Sequence, residues 1–309
     1  MLSNASFWLN WAAASFRLAS PIALTAAGGV YSERSGIFNI GLEGMMLIGA
    51  FFSILGSLES GSALIGALAA LGAGSAFGAL LAYLTISRRA DQIISGIALN
   101  FLALGLTTFL HRALLGENAR RRVAGFPQVE LPGLADIPVV GPVVFEQNLS
   151  VYLAYLIAAL ATWVLFRTTW GLNVRAVGDY PDAAESAGLS VEPIRYWAVI
   201  FSGAMAALGG AALALSGTRF FTPGMTAGRG FIALAAIVFG RWNPLGAAAA
   251  ALLFGAADAL QLNAQALGLD IPRPFLLMLP YVLTLVVLMG LMGRARPPQN
   301  LGVSRVHAN

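Results

Sequence analysis

The chain has 309 residues, 58% hydrophobic and 10% charged, whereas an average soluble domain carries about a quarter charged residues, so a water-facing surface cannot be built from it. Its 18 basic and 14 acidic residues leave a formal charge of +4, too small and too scattered for a nucleic-acid-binding stripe. Every basic residue is Arg, which excludes a P-loop or Schiff-base lysine; cysteine is absent, and the two histidines, His111 and His307, cannot form a multi-His metal site.

A spanning helix needs about 20 mainly apolar residues. In chain order the stretches that qualify are Phe7 to Val30, Asn39 to Leu58, Ser62 to Ser87, Ile93 to Leu115, Val151 to Phe166, Tyr196 to Ser216, Leu245 to Asn263 and Phe275 to Met292. The first is read as a retained membrane segment, because it lacks the basic flank of a secretory signal. The run Phe231 to Phe239 is apolar but too short to cross, which predicts a half-helix or re-entrant segment. The expected fold is therefore all-α and polytopic, with about eight transmembrane helices plus that half-helix in a single membrane domain over residues 1–309.

Two longer loops interrupt the pattern. Residues 116–150 contain Phe126-Pro127, Leu131-Pro132-Gly133 and Gly141-Pro142 and read as a cap on the outer side, whereas residues 168–195 are polar and read as an inner element with short helices. Arginine placement sets this orientation. Ten lie in segments placed inside (Arg34, Arg88, Arg89, Arg167, Arg175, Arg195, Arg241, Arg294, Arg296, Arg305) and seven in segments placed outside (Arg112, Arg120, Arg121, Arg122, Arg219, Arg229, Arg273). Ile22-Ala23-Leu24 and Ala26 recur at an offset of 210 residues as Ile232-Ala233-Leu234 and Ala236, a faint sign of internal duplication.

Charge inside a spanning helix is costly and marks a partner or a cavity. Arg17, Glu43 and Asp258 are such charges, and Glu43 has two readings: a hydrogen bond to a neighbouring helix end, which Gly41 and Gly44 would allow to approach, or a role along a solute route. Asn39 and Asn100, with Gln261, Asn263 and Gln265, offer amides either to a solute or to other helices. The candidate route is Asn39, Glu43, Asn100 and Asp258. The Gly74 and Gly78 face of the third stretch is assigned to packing.

The inner loop holds a short amphipathic stretch, started at Pro181 and stopped at Gly188. Ala183, Ala184, Ala187 and Leu189 form its apolar face and Asp182 and Glu185 its polar one, as in a helix that docks on a soluble partner; a loop lying on the headgroups is the alternative.

Gly29-Val30-Tyr31-Ser32-Glu33-Arg34-Ser35-Gly36-Ile37-Phe38-Asn39-Ile40-Gly41-Leu42-Glu43-Gly44-Met45-Met46 closely resembles the signature of ABC-type permeases of the nucleoside and simple-sugar branch, related to the ribose permeases. Two further blocks agree in order and spacing: Arg175 to Asp179 with Ala183-Ala184 and Ala187-Gly188, and Gly228 to Ala236 with Asn243-Pro244-Leu245-Gly246. Together they cover most of the chain. The resemblance is closest to the shorter permease of nucleoside systems. It implies an importer subunit for nucleosides or simple sugars in a bacterial inner membrane. The implied partners are a second permease in a heterodimer, a cytoplasmic ABC ATPase and an external solute-binding protein. No cofactor would be bound by this chain, ATP being used by the ATPase. The coupling helix would fall in residues 168–195, with Gly171, Arg175, Asp179, Asp182, Glu185 and Gly188 as coupling residues. An ion-coupled secondary carrier is the competing reading, disfavoured by the sparse intramembrane charge; an enzyme is disfavoured by the lack of any paired carboxylates or nucleophile and base.

Overall fold

A computed structural model of the chain describes residues 5–116, 121–266 and 296–303, together with Met278 and Val282. The described part is a bundle of helices: α1 (Ala5–Arg34), α2 (Leu42–Ser60), α3 (Ala63–Ala82), α4 (Gln92–Leu110), α5 (Leu149–Arg167), α6 (Thr169–Asp179), α7 (Pro181–Ser186), α8 (Val191–Leu213), α9 (Arg229–Phe239) and α10 (Pro244–Ala266). Wider π-type turns extend α3 over Tyr83–Ser87, α4 over His111–Leu115 and α8 over Ala214–Thr218. One antiparallel ribbon, β1 (Gln128–Glu130) with β2 (Glu146–Asn148), pairs Gln128 with Asn148 and Glu130 with Glu146.

Six described helices are long and apolar enough to cross a membrane, namely α2 to α5, α8 and α10 with their extensions. The protein is thus a polytopic membrane protein built of α-helices. The expected first segment is α1, which runs four residues past Val30 to Arg34. The expected eighth segment, Phe275 to Met292, lies outside the described residues, as do Arg120 and the Arg273, Arg294 and Arg305 positions.

Small residues bring the inner helices together. α1 is packed against α5, α8, α9 and α10, and Ile22, Ala23, Ala26 and Val30 on it are fully buried. In lipid, van der Waals contact replaces the hydrophobic effect as the force between helices, so close backbone approach matters most. A Cβ on Gly210 of α8 would overlap the Met46 carbonyl of α2, and one on Gly49 of α2 would overlap Ala207 of α8. Gly74 and Gly78 of α3 meet Gly203 and Val199 of α8 in the same way, so the small-residue face is a packing face. Outward positions of α3, α4 and α5 instead carry exposed Leu64, Leu68, Phe101, Phe109, Leu156 and Trp163, the inverse of a soluble surface.

The two ends of the bundle are distinct. One end, here the α6 face, gathers Arg34, Arg175 and Arg195: Arg34 and Arg175 both lie over the Phe166 ring, and Arg195 Nε donates to the Ser35 carbonyl. At the opposite face the loop before the ribbon is tied down, with Ser57 Oγ donating to Ala124 O and Val123 N donating to Arg219 O. The ribbon itself was not expected: three residues per strand, Gln-Val-Glu in β1 and Glu-Gln-Asn in β2, leave too short a period to read.

Candidate functional site

Two interruptions of helix meet inside the bundle. The first follows α1, where Gly36 turns the chain at φ +93° and α2 does not start until Leu42. Residues 35–41 therefore leave backbone groups without helical partners. Amide side chains take them: Gln92 Oε1 accepts from Phe38 N at 2.7 Å, Asn100 Nδ2 donates to Ile40 O at 3.0 Å, and Asn100 Oδ1 accepts from Gly44 N at 2.7 Å. Asn39, fully buried, donates to Ser202 Oγ at 3.0 Å. Ser35 sits level with Arg195 and Asn39 level with Ser202. Those partners are a helical rise of about 10 Å apart on α8, so the segment climbs into the bundle.

The second interruption follows α8. Arg219 reverses the chain at φ +60°, and no helix forms again until Arg229. α9 then runs 11 residues, about 16 Å, to the α6 face. It is the half-helix expected from the short apolar run.

Glu43 joins the two interruptions. Its Oε1 accepts from Thr226 Oγ1 at 2.6 Å and Gly228 N at 2.9 Å, and its Oε2 accepts from Gly230 N at 2.7 Å. Free N–H groups and the positive end of the helix dipole both favour a carboxylate there. The glycine that admits it is Gly230, where a Cβ would overlap the Glu43 Cα; Gly41 and Gly44 face Asn39 and Asn100 instead.

Beside this carboxylate, Arg229 Nη2 lies 3.7 Å from Asp258 Oδ2, with the two side chains 23% and 15% exposed. Asp258 stands about 21 Å along α10 from Pro244. Arg229 is therefore an interior residue and not part of an outer loop as its neighbourhood suggested, because the half-helix starts deep in the bundle.

At the α6 face the ends of α1 and α9 are locked together. Trp242 Nε1 donates to Glu33 Oε2 at 2.5 Å, while Arg34 donates to the carbonyls of Trp242 at 2.9 Å and Arg241 at 3.2 Å. Glu33 is fully buried. Arg34 thereby ties the turn that follows α9 to the end of α1.

The inner loop folds as two short helices. Thr168 caps α6 by accepting from Gly171 N at 3.2 Å, and Gly171 is needed because a Cβ would overlap the Val164 and Leu165 carbonyls. Arg175 Nε donates back to Gly171 O at 3.4 Å. Asp179 ends α6 and accepts from Gln299 N at 3.3 Å. In α7, Ala184 is buried with Val177 and Val191, and Leu189 packs against them. The expected apolar face is thus divided: Ala184 and Leu189 hold α7 to its own protein, while Asp182, Ala183, Glu185, Ser186, Ala187 and Gly188 are exposed.

The structure brings Asn39, Glu43, Asn100 and Asp258 around one junction, the last through Arg229. Asn263 is elsewhere, bonded to Ala259 O of its own helix, and the Gln265 side chain lies outside the described residues. Sequence reasoning missed Thr226, Gly228, Arg229, Gly230, Glu33 and Trp242. Gly228-Arg229-Gly230 ahead of a short apolar run was the available signal for a helix start open to a close neighbour.

A family model described as branched-chain amino acid transport system / permease component matches residues 12–290. Guanosine ABC transporter permease protein NupQ of Bacillus subtilis is 44% identical over 295 residues, covering 92% of each chain. Nucleoside ABC transporter permease protein NupC of Lactococcus lactis is 40% identical over 300 residues, covering 93% of each. Guanosine ABC transporter permease protein NupP, also of Bacillus subtilis, is 27% identical over 247 residues, covering 77% of this chain and 70% of its own. With that match across most of its length, and interrupted helices meeting at the signature Glu43, the chain belongs to the permease family of ABC transporters, in the nucleoside and simple-sugar branch.

Proposed function

We propose that this chain is one of two permease subunits of a bacterial inner-membrane importer, and that the solute is a nucleoside. The observation that carries this reading is the Glu43 junction of two interrupted helices, in a chain 44% identical to a guanosine permease. Non-helical backbone at membrane depth is tolerated only inside protein or beside a water-filled cavity. From Arg219, bonded at the opposite face, residues 220–228 lead as such backbone to the Glu43 junction, and Thr222, Pro223 and Ala227 on them are exposed, with Phe231 48% exposed at the start of α9. This face borders the path. Asn39, Glu43, Asn100 and Asp258 frame it by fixing its walls.

The charge balance of the junction suits an uncharged polar solute. Glu43 already occupies the positive end of α9, and Asp258 offsets Arg229. A half-helix end open to an anion would need that carboxylate elsewhere.

The α6 face is the cytoplasmic one, by its arginines. The ATPase is a separate chain that binds and hydrolyses the ATP; this chain binds no cofactor. It docks on the exposed side of α7, and Gly171, Arg175, Asp179, Asp182, Glu185 and Gly188 shape that coupling element within one permease domain of residues 1–309. A solute-binding protein meets the opposite face. Two Bacillus subtilis guanosine permease proteins resemble this chain at 44% and 27% identity, which favours an unlike second permease as partner.

The test is uptake of radiolabelled nucleoside by proteoliposomes holding the chain with its co-purified partners. Uptake that requires ATP inside supports the reading; uptake that needs only an ion gradient replaces it with the carrier. The chain has no cysteine, so Ala187→Cys supplies a single thiol for crosslinking, and capture of the ATPase through it tests the docking side of α7.

A further inference from the structure

The described C-terminal segment, 296–303, returns to the α6 face and lies across two other stretches of backbone. Asn300 N donates to Gly178 O at 3.0 Å, and Gly302 N donates to Gly36 O at 3.1 Å. Asn300 Nδ2 donates to Asp179 O and Gln299 N to Asp179 Oδ1, both at 3.3 Å. Leu301 packs on the main core, and Pro298 is buried. Beneath the segment, a Cβ on Gly178 would overlap the Arg34 carbonyl, and one on Gly36 would come within 3.2 Å of Asn300 O. The end of α1, the end of α6 and the C-terminal segment therefore meet backbone to backbone, with the Arg195 guanidinium beside Gly36.

We infer that residues 299–302 form a positioning strap that holds the end of α6 against the turn at Gly36, so that displacement of α7 is passed to the interrupted segment leading to Glu43. Backbone contact suits this role. A side-chain contact yields by changing rotamer, whereas backbone hydrogen bonds between three segments move them together. From Gly36 the chain reaches Glu43 in seven residues, and Glu43 carries the start of α9. The strap thus completes a continuous route from the proposed ATPase-docking helix to the half-helix. It has no contact in the structure with the junction itself; its members are positioning residues.

The inference rests on the reading of α7 as the docking element, and the experiment separates the two. In proteoliposomes holding the whole assembly, nucleoside taken up per ATP hydrolysed is measured for the wild-type chain, Asn300→Ala, Gly302→Pro, Asp179→Ala and Asp179→Asn. Asn300→Ala and Gly302→Pro should lower this ratio by about threefold to tenfold, the equilibrium worth of one or two net hydrogen bonds, with the ATPase still bound. Asp179→Ala should do the same, and Asp179→Asn, which keeps an oxygen to accept from Gln299 N, should restore the ratio. An unchanged ratio in Asn300→Ala and Gly302→Pro overturns the strap while leaving the importer reading intact. Loss of ATPase binding in these variants also overturns it, making the segment a folding element only. A wild-type assembly without ATP-driven uptake overturns the importer reading and the strap with it.

Discussion

The backbone N–H of Gly230 donates to Glu43 Oε2 at 2.7 Å, and the contact exists because residue 230 has no Cβ to strike the Glu43 Cα. Two interrupted helices, distant in sequence, are thereby pinned at one point. Gly230→Ala should separate them, at an overpacking cost of about 1–3 kcal/mol besides the strained hydrogen bonds. Thermal unfolding of the detergent-purified protein checks this; a melting temperature equal to wild type would mean that the helices are held elsewhere.

The carboxylate can be probed separately. Glu43→Gln retains an oxygen for Thr226 and Gly228 but puts an NH2 group opposite the Gly230 amide, and Glu43→Ala leaves all three donors unanswered. Glu43→Ala should cost about 3–5 kcal/mol, from charge-assisted hydrogen bonds at a helix start, and Glu43→Gln roughly half of that. Both should slow uptake in that order. Equal uptake by Glu43→Ala and wild type would remove the junction from any account of transport.

Much of this arrangement was legible beforehand, for identifiable reasons. Phe231 to Phe239 was too short to span, and length alone gave the half-helix. A charge in a spanning helix demands a partner, so Glu43 and Asp258 stood out. What periodicity does not contain is the partner's identity. Arg229 looked like a loop residue because its helix starts deep in the bundle. Glu33 received no role from the sequence, yet it is buried under Trp242 from a turn more than two hundred residues away. On α7 the apolar side was expected to face a soluble partner, but half of it meets Val177 and Val191 of the same chain, which only the path of α8 reveals.

The Arg229 and Asp258 side chains, 3.7 Å apart, offer a double-mutant test of their pairing. Arg229→Ala leaves a carboxylate, and Asp258→Ala a guanidinium, at membrane depth without its opposite charge. The double substitution should lower the melting temperature by less than the sum of the two single losses, with a coupling of about 0.5–3 kcal/mol. Additive losses would show that the two charges act independently.

The α2 and α8 crossing depends on absent side chains as well. Gly210→Leu would drive a side chain into the Met46 carbonyl, and Gly49→Leu would do so against Ala207. Both should reduce folded protein recovered from membranes, by the cost of overpacking a tight helix contact, about 1–3 kcal/mol or more. Gly72→Leu, at a position of α3 with open space around it, serves as the control and should leave recovery unchanged. Equal recovery of all three variants would contradict close packing at this crossing.

Gly188 closes α7 at φ +85°, with its N–H donating to Glu185 O at 2.9 Å and the next amide, Leu189 N, donating to Ala184 O at 3.0 Å. That turn returns Leu189 to the cluster formed by Val177, Ala184 and Val191, and so sets the angle at which the exposed side of α7 is presented. Residue type at 188 should therefore rank uptake by tolerance of left-handed backbone. Asn, which visits that region readily, should retain most activity; Ala should lose part of it, at about 1 kcal/mol; and Pro, fixed near −65° and without an N–H, should abolish it. Because residue 188 is exposed and outside the spanning helices, membrane insertion should be the same in all three, as measured by the amount of protein in the membrane fraction. Full uptake with Gly188→Pro would show that the geometry of α7 does not matter to transport, and the docking of an ATPase would have to be sought on another part of the α6 face.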